Sequence, residues 1–461
     1  MALKYISFDA IKKKKAVSAE SILLFGFLII IFAGSILLFL PFANNFPSMH
    51  PKYYLDCLFT AVSCVCVTGL STITPALDFT PFGQAVMLLL IQVGGLGFMT
   101  IAVLLSRIIR RKITPKEQLI AAQAYGLSSN ENVRGLITRI VLRTLAIEGV
   151  GALLLMTRMW VYAESIGQAV WMSVFHSVSA FCNAGFDLFT FENGSLTGIF
   201  DDYLVLSVLM LLIIVGGIGF VIWDDLVGYF KGRRQKLSVY SKFILIASGI
   251  LILTGALLTL ILEWNNPQTL GKMNILEKCF NALFHSVTLR TAGFASVPNV
   301  SLNDSTKLMS CIYMFIGGAS GSTAGGIKVG TVGIILFSVF ASAVGKKTLV
   351  IGKRTISWQV VQRATALFFI GVFIVLAFTG LISLIENKPV VDLLYEVVSA
   401  FATVGLSAGL TPSLSVVTKI LVMLLMYFGR VGVLTITTSL AGNGAVKESG
   451  IRYPETSFYI G

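Results

Sequence analysis

The stretch Val67-Thr68-Gly69-Leu70 decides the fold, because closely similar four-residue stretches occur three more times in the chain. The other three are Asn183-Ala184-Gly185-Phe186, Thr291-Ala292-Gly293-Phe294 and Thr403-Val404-Gly405-Leu406. Each one follows a short amphipathic segment and lies between two long apolar runs. Backbone that is not helical is tolerated at membrane depth only where protein or water covers it. Four such glycine turns therefore predict a lined cavity that a single chain builds by itself.

The composition is that of a protein that crosses a membrane several times. The chain has 461 residues, of which 56% are hydrophobic and 12% are charged, against about 25% charged in soluble domains. The net charge of +13 comes from short basic runs between apolar runs, and this pattern argues against nucleic acid as a partner. The six cysteines lack the spacing of a zinc site, so we expect small buried side chains there.

Eight apolar runs are long enough to cross a bilayer, which takes about 20 residues. They are residues 22–42, 82–105, 141–162, 203–227, 243–262, 308–340, 361–385 and 418–440. Four shorter segments, too short to span, each end at one of the glycine turns. They are residues 54–66, 170–182, 276–290 and 393–402, and their periodic apolar positions predict short re-entrant pore helices.

The distribution of charge predicts the orientation. Lys and Arg cluster before the first run and after the second, fourth and sixth runs, whereas acidic residues prevail in the other connections. The positive-inside rule then places both termini in the cytoplasm. We predict an all-α polytopic membrane protein with four pseudo-repeats of helix, pore helix, filter turn and helix around a central pore. The segments are a basic N-terminus 1–17, repeats 18–112, 138–234, 240–345 and 356–442, and a cytoplasmic tail 443–461.

Glycine is suited to the turns because it reaches positive φ without a Cβ clash, so that carbonyl oxygens on both sides can point the same way. Stacked carbonyl oxygens replace the hydration shell of a cation in the way of a potassium filter. The turns contain no Asp or Glu, which argues against a filter selective for divalent ions. The predicted ion-binding residues are Val67, Thr68, Gly69, Asn183, Ala184, Gly185, Thr291, Ala292, Gly293, Thr403, Val404 and Gly405. Close packing of helices remains an equal alternative for the glycine clusters at Gly94, Gly216 and Gly317.

The four turns with their flanks, together with residues 91–98 and 451–454, resemble the Trk/Ktr/HKT family of potassium transporters, most closely the membrane subunit of bacterial Ktr systems. The resemblance covers essentially the whole chain. It implies Na⁺-stimulated K⁺ uptake by a homodimer, with one pore per subunit, in a bacterial plasma membrane. It also implies a cytosolic RCK ring as partner, which would hold ATP or ADP. Four filter glycines are the pattern that this resemblance associates with K⁺.

The sixth run is too long for one span, and ten residues rich in glycine interrupt it, which predicts a break. The resemblance implies an intramembrane gating loop at residues 317–328, and a packing kink is the alternative. Arg430 lies in the eighth run, where an arginine costs at least about 2.5–3.5 kcal/mol. The resemblance makes it a barrier to cations, and pairing with backbone carbonyls of the sixth run is the alternative. The predicted gate residues are Gly317, Gly318, Ser320, Gly321, Ser322, Thr323, Gly325, Gly326, Lys328 and Arg430.

Other polar residues give no sign of catalysis, so the sequence predicts that the chain is not an enzyme. His176 and His285 occupy matching places in two pore helices and are expected to pack there through hydrogen bonds. Arg290 is expected to brace the third turn from behind. The competing function is a Na⁺-permeable transporter, or a Na⁺-coupled transporter of another substrate. A coupled symporter predicts inverted repeats, whereas every repeat here begins on the cytoplasmic side.

Overall fold

The computed structural model describes residues 19–47, 50–97, 100, 133–191, 194–232, 235–346, 348–352 and 354–432. The predicted termini 1–17 and 443–461, with residues 451–454, lie outside the described residues. So do most of the predicted basic connection after the second run and the ends of the second and eighth runs beyond residues 100 and 432.

Helices occupy every predicted apolar run and every predicted pore helix. In chain order they are α1 (Ala19–Phe39), α2 (Pro51–Cys66), α3 (Pro75–Asp78), α4 (Pro81–Leu96), α5 (Val133–Met159), α6 (Ile166–Cys182), α7 (Tyr203–Ile218), α8 (Phe220–Phe230), α9 (Val239–Glu263), α10 (Ile275–Thr288), α11 (Asp304–Phe315), α12 (Val329–Ala343), α13 (Trp358–Ile385), α14 (Val390–Ala402) and α15 (Val416–Val431). Short 3₁₀ turns lie at Thr197–Ile199, Asn299–Ser301 and Thr411–Ser413. The strands β1 (Leu349–Ile351) and β2 (Arg354–Ile356) form an antiparallel hairpin between α12 and α13, which the sequence did not predict in this mostly helical chain.

Several helices present apolar side chains to their surroundings. Among the described residues, α5, α9 and α13 are long and apolar enough to cross a membrane, and the bent pair α7 and α8 makes a fourth candidate. Only 17–28% of the residues in their apolar windows are buried inside the protein. Phe373 and Leu253, on α13 and α9, are 71% and 68% exposed. Such faces are stable in hydrocarbon and not in water, so the chain is a membrane protein.

The fourth and sixth apolar runs are broken within the part of the chain that the structure describes. The fourth, residues 203–227, was predicted as one span but bends by 100° between α7 and α8, where Gly219 has φ 100°. The sixth, residues 308–340, divides into α11 and α12 around a non-helical loop, as the glycine-rich sequence predicts. Glycine is a poor helix former, and at positive φ it ends the α-helical ladder without a Cβ clash.

The short helices α2, α6, α10 and α14 form the centre of the protein. Most of their residues are buried, and Phe59, Phe175, Phe284 and Tyr395 are among its largest fully buried side chains. Three of these helices end at the predicted residue, but α10 ends at Thr288 and not at residue 290. The reason is a shorter turn after this helix, described below.

The helix that follows each turn packs against the pore helix that precedes the next turn. The contacting pairs are α4 with α6, α7 with α10, α11 with α14, and α15 with α2. The last pair joins the end of the described chain to its beginning. The arrangement is therefore a closed ring with the four pore helices inside it.

Candidate functional site

All four turns share one backbone conformation. The residue two positions before the turn glycine is left-handed in every case, with φ of 57° at Val67, 59° at Asn183, 65° at Thr291 and 52° at Thr403. The turn glycines themselves have φ between 69° and 99°. A left-handed conformation is rare and strained for β-branched residues, and such strain is concentrated at functional sites. The sequence predicts positive φ only at the glycines and gives no sign of it two positions earlier.

The four turns meet in a closed ring of backbone. A Cβ atom added to any turn glycine would collide with the carbonyl oxygen that precedes the next glycine in the ring. These Cβ–oxygen distances are 2.6 Å for Gly69 and Ala184, 2.8 Å for Gly185 and Ala292, 2.6 Å for Gly293 and Val404, and 2.1 Å for Gly405 and Thr68. Real Cβ contacts are essentially never this short. Only glycine fits at the four places where the turns touch, so the structure brings the twelve predicted ion-binding residues together.

Three turns are tied to their pore helices in the same way. The backbone N–H groups of Thr68, Ala184 and Val404 each donate to the carbonyl oxygen five residues earlier, at 2.8 Å. That earlier residue is always a serine, and its hydroxyl accepts a second N–H from the turn. These bonds run from Gly69 to Ser63 at 3.0 Å, from Phe186 to Ser179 at 3.0 Å and from Gly405 to Ser399 at 3.1 Å. The serine fixes the turn against the end of the helix.

The third turn is one residue shorter. Ala292 N–H donates to the carbonyl of Thr288, four residues earlier, at 3.0 Å, and the Thr288 hydroxyl has no hydrogen-bond partner among the described residues. Arg290 supports this turn instead, because its buried guanidinium donates from Nη2 to the carbonyl of Gly317 at 3.0 Å. The sequence predicted this bracing by Arg290. From the histidine of the pore helix to the turn glycine, the third repeat (His285 to Gly293) is one residue shorter than the second (His176 to Gly185), so the ring departs from four-fold symmetry at its third turn.

The glycine-rich loop between α11 and α12 lies against three of the turns. The Thr323 hydroxyl donates to the carbonyl of Phe181 at 3.1 Å, just before the second turn. Gly317 accepts the bond from Arg290. A Cβ on Gly325 would lie 1.9 Å from the hydroxyl oxygen of Thr403 in the fourth turn. The loop is therefore packed directly on the ring.

The other predicted gate residues hold the loop to itself and to its neighbours. Lys328 donates from Nζ to the carbonyls of Ala324 and Gly325, at 2.6 and 3.3 Å. The remaining contacts are Gly318 O with Val329 N at 3.1 Å, Ser322 Oγ with Ala319 O at 2.7 Å, Gly321 O with Phe220 N at 2.9 Å, Ser320 with the Tyr240 side chain, and Gly326 against Ala402. Residues of α8, α9, α12 and α14 thus help to fix the loop.

Arg430, in the last turn of α15, connects this loop to the end of α4. Its Nη1 donates to the carbonyl of Thr323, and its Nη2 donates to the carbonyls of Gly94 and Gly95. The sequence analysis left open a pairing with backbone carbonyls of the sixth run and a role as a barrier. The pairing is present, and it extends to the second run as well.

Three helices each carry a glycine, Gly94, Gly216 or Gly429, where they pack against a pore helix. Each of these glycines lies against the backbone carbonyl oxygen of the residue four positions before a turn glycine. The distances from an added Cβ to that oxygen are 2.2 Å for Gly94 and Val65, 1.9 Å for Gly216 and Phe181, and 1.8 Å for Gly429 and Phe401. This confirms the packing interpretation for Gly94 and Gly216. The helices end or bend three residues later, at Gly97, Gly219 and Gly432, where φ lies between 79° and 100°.

His176 is a neutral packing residue behind the second turn. Its Nδ1 lies 2.7 Å from the carbonyl of Met172 and must donate, while its Nε2 accepts the N–H of Leu188 at 3.3 Å. His285 pairs with Ser310 at 3.3 Å. The described part of the chain contains no group of three or more His, Cys, Asp or Glu residues placed to hold a metal ion.

The sequence analysis also passed over Glu148, which is 5% exposed on α5. Its Oε2 accepts from Nε2 of Gln92 at 3.1 Å, and its backbone carbonyl accepts from the Ser177 hydroxyl at 2.6 Å. An acidic residue inside an apolar run was the signal that could have found it.

The comparison with protein families agrees with this geometry. The family model described as "TrkH: Cation transport protein" matches residues 15–444. The chain belongs to the TrkH family of cation transport proteins. It is therefore a transporter and not an enzyme.

Similar proteins cover the whole length of this TrkH-family chain. The potassium/sodium uptake protein NtpJ of Enterococcus hirae is 37% identical over 97% of this chain and 98% of its own. The Ktr system potassium uptake protein B of Bacillus subtilis is 38% identical over 98% of this chain and 99% of its own. The crystal structure of the potassium transporter TrkH from Vibrio parahaemolyticus matches with a TM-score of 0.71 at 17% identity, over 93% of this chain and 85% of that one. That likeness shows a common fold.

Proposed function

We propose that the chain is the K⁺-translocating subunit of a Ktr-type uptake system and that the ring of four turns is its selectivity filter. The observation that carries the proposal is the closure of the ring, in which each turn glycine lies against the carbonyl that precedes the next one. Rings of backbone carbonyls select K⁺ by replacing its hydration shell. The relatives named as potassium uptake proteins support the same ion.

The larger architecture belongs to the same proposal. Four pseudo-repeats with eight membrane spans surround one pore, and both termini are cytoplasmic in a bacterial plasma membrane. The ring of contacts between successive helices and pore helices supports this arrangement. Two copies form a homodimer that works with a cytosolic RCK ring, and ATP or ADP binds to that ring. The name of the Ktr relatives, a "system", supports further components.

Sodium ions enter the proposal as activators of K⁺ uptake. One relative is named a potassium/sodium uptake protein, and this name also favours a second candidate function, in which Na⁺ itself passes the pore. The four glycines of the ring favour K⁺ as the transported ion, because they leave only backbone groups where the turns touch. The membrane potential supplies about 2.3 kcal/mol per 100 mV for each entering cation.

The test is complementation of bacteria that lack K⁺ uptake, with the chain and its ring partner produced together. We expect growth at low K⁺ and uptake that rises with external Na⁺. No rescue, with both proteins verified in the membrane fraction, would contradict the proposal. Rapid entry of ²²Na⁺ in the absence of K⁺ would instead favour the Na⁺-permeable alternative.

The loop 317–328 and Arg430 form the gate in this proposal. The loop lies on the ring, and the guanidinium of Arg430 fastens it to the end of α4. A fixed positive charge beside the pore repels cations. Opening requires the loop to leave these contacts.

We expect Arg430→Ala to raise the initial rate of Rb⁺ uptake. Losing the charge and its hydrogen bonds lowers the barrier by an assumed ~0.6–1.4 kcal/mol, roughly three- to tenfold in rate. Initial uptake per amount of protein in the membrane is the measurement. Arg139→Ala is the matched control, because Arg139 is 53% exposed in its pair with Asp224, and it should leave the rate unchanged. An equal or lower rate for Arg430→Ala would count against a gate.

A further inference from the structure

The outer side of the ring carries one unmatched charge. The residues two positions after the turn glycines are Ser71, Asp187, Ala295 and Ser407. Of these four equivalent residues only Asp187 is ionisable. The Ser71 hydroxyl donates to the carbonyl of Ile73 in its own turn, whereas the Ser407 hydroxyl donates to the carboxylate of Glu396 on α14. Asp187 is thus the one acidic residue at these four positions; the Glu396 carboxylate beside Ser407 is buried and accepts hydrogen bonds from Ser407 and Thr411.

Asp187 is close enough to the ring to act on an entering cation. Two residues of extended chain span at most about 7 Å, so the Cα atoms of Asp187 and Gly185 lie within that distance. This is shorter than the Debye length of about 8 Å at physiological ionic strength. The residue Asp187 is half-buried, whereas the preceding Phe186 is buried.

A loop from the second repeat fixes the carboxylate in place. The N–H of Phe189 donates to Oδ1 of Asp187 at 3.1 Å, and the Ser195 side chain is hydrogen-bonded to the same carboxylate. The Ser195 hydroxyl also accepts the N–H of Ala295 at 3.1 Å, and Leu196 N–H donates to the Ala295 carbonyl at 3.0 Å. The loop therefore holds Asp187 at the junction between the second and third turns.

The described neighbours of Asp187 leave its charge uncompensated. On its own pore helix the titratable group is His176, which is neutral. Ala295, the residue of the third repeat in this contact, is not titratable. On the side of α5 and α7, Tyr162 packs edge-on against Phe189, and its hydroxyl donates to Asp202. The nearby cation Arg158 is paired with Asp202 at 3.0 Å and not with Asp187. No described cation forms an ion pair with Asp187.

We propose that Asp187 recruits the transported cation for the proposed K⁺ transport: its fixed negative charge raises the local concentration of cations at the outer mouth of the ring. The inference rests on the proposed function and adds a recruitment step before the filter. Two unit charges 7 Å apart in water interact strongly enough to raise the local cation concentration about threefold. Fields of this kind raise the entry rate of charged substrates and weaken as salt is added.

The carboxylate titrates in a range that an experiment can reach. Burial raises the pKa of Asp187 to about 6, although the hydrogen bonds from Phe189 and Ser195 act in the opposite direction. A carboxyl group is charged above its pKa and neutral below it. The charge at the mouth is therefore present at neutral pH and is lost as the external pH falls through about 6, so the KM for K⁺ should rise there.

The experiment measures initial K⁺ uptake against external K⁺ in cells that produce the full chain with its ring partner. For Asp187→Asn at about pH 7.5, we expect a KM about three times higher, an unchanged maximal rate, and a difference that shrinks when choline chloride raises the ionic strength. Asp187→Glu should keep the wild-type KM. Ser195→Ala, which removes one tether but keeps the charge, should change the KM less than Asp187→Asn does. Asp201→Asn, at an exposed position outside the mouth, should change nothing.

Other results overturn the inference. One is a KM for Asp187→Asn equal to that of the wild type, and another is a change that salt does not reduce, because both exclude a field effect. If Asp187→Asn does not reach the membrane, the wild-type protein decides the matter through its pH profile. A KM for K⁺ that stays constant between about pH 7.5 and about pH 5 then removes the inference. Saturable K⁺ uptake by the wild-type protein in the same cells would leave the proposed function intact. If the wild-type protein took up no K⁺, the proposed function itself would be contradicted.

Discussion

Gly405→Ala is expected to reduce K⁺ uptake at least a hundredfold, which corresponds to about 2.7 kcal/mol. The added methyl group would lie 2.1 Å from the carbonyl oxygen of Thr68, and the backbone at Gly405 has φ 96°, which an alanine rarely adopts. Because Gly405 contacts the first turn, the substitution opens the ring at the junction between the last turn and the first. Rb⁺ uptake in a K⁺-uptake-deficient strain is the measurement.

Gly380→Ala is the matched control for this substitution. Gly380 lies in α13, and a Cβ there meets nothing within 4 Å. Alanine in a helix is more stable than glycine by up to about 1 kcal/mol, so uptake should equal that of the wild type. If Gly405→Ala transported as well as Gly380→Ala, the close contact between the turns would have no part in transport.

Lys419→Met is expected to destabilise the protein by about 3–5 kcal/mol, because it leaves a buried carboxylate without its cation. Lys419 Nζ lies 3.0 Å from Oδ1 of Asp56, and the two side chains are only 9% and 5% exposed. The Thr72 hydroxyl donates to the same oxygen at 2.8 Å. This pair joins α15 to α2, where the ring of helices closes. Thermal unfolding of the purified protein in detergent is the measurement.

Two further variants show whether the buried charge is the cause. Asp56→Asn combined with Lys419→Met removes both charges and should recover most of the lost stability. Arg139→Met removes a partly exposed partner of Asp224, which keeps Arg143, and should change the stability by less than about 1 kcal/mol. A double variant no more stable than Lys419→Met would show that the loss comes from packing and not from the unpaired carboxylate.

The ion pair between Lys419 and Asp56, where α15 meets α2, has a counterpart at the neighbouring contact of the ring, where α11 meets α14. Lys307 Nζ lies 2.7 Å from Oδ1 of Asp392. Each lysine stands 14 residues after its turn glycine (419 − 405 and 307 − 293), and each aspartate stands 13 before its own (69 − 56 and 405 − 392). The other two junctions use neutral hydrogen bonds. These run from Trp171 Nε1 to Gln84 Oε1 at 2.7 Å and from Asn281 Nδ2 to the Phe200 carbonyl at 3.0 Å.

The periodic part of the fold could be predicted from the sequence. Apolar runs, short pore helices and four glycine turns follow from local composition, and so does the break in the sixth run. The 100° bend at Gly219 could not be predicted, because its carbonyl and amide partners come from the loop after α11, about one hundred residues further along. The β-hairpin was missed because short strands carry a weak pattern.

The site was predictable where glycine is required and unpredictable where partners are distant in the chain. The twelve residues of the four turns were identified by their recurrence. The left-handed conformation of Val67 and Thr403 was not predicted, because the sequence alone assigns positive φ to glycine. The contacts of Arg430 with Gly94 and the pair of Lys419 with Asp56 join residues more than 300 positions apart. No local pattern encodes such contacts.

The central claim is that the four turns surround a path for K⁺. The measurement that tests it most directly is a crystal structure of the protein grown in Rb⁺, with anomalous difference density calculated at the rubidium edge. We expect peaks on the axis of the ring, between the carbonyl oxygens of Thr68, Ala184, Ala292 and Val404. A ring without anomalous density, with Rb⁺ ordered elsewhere in the chain, would contradict the claim.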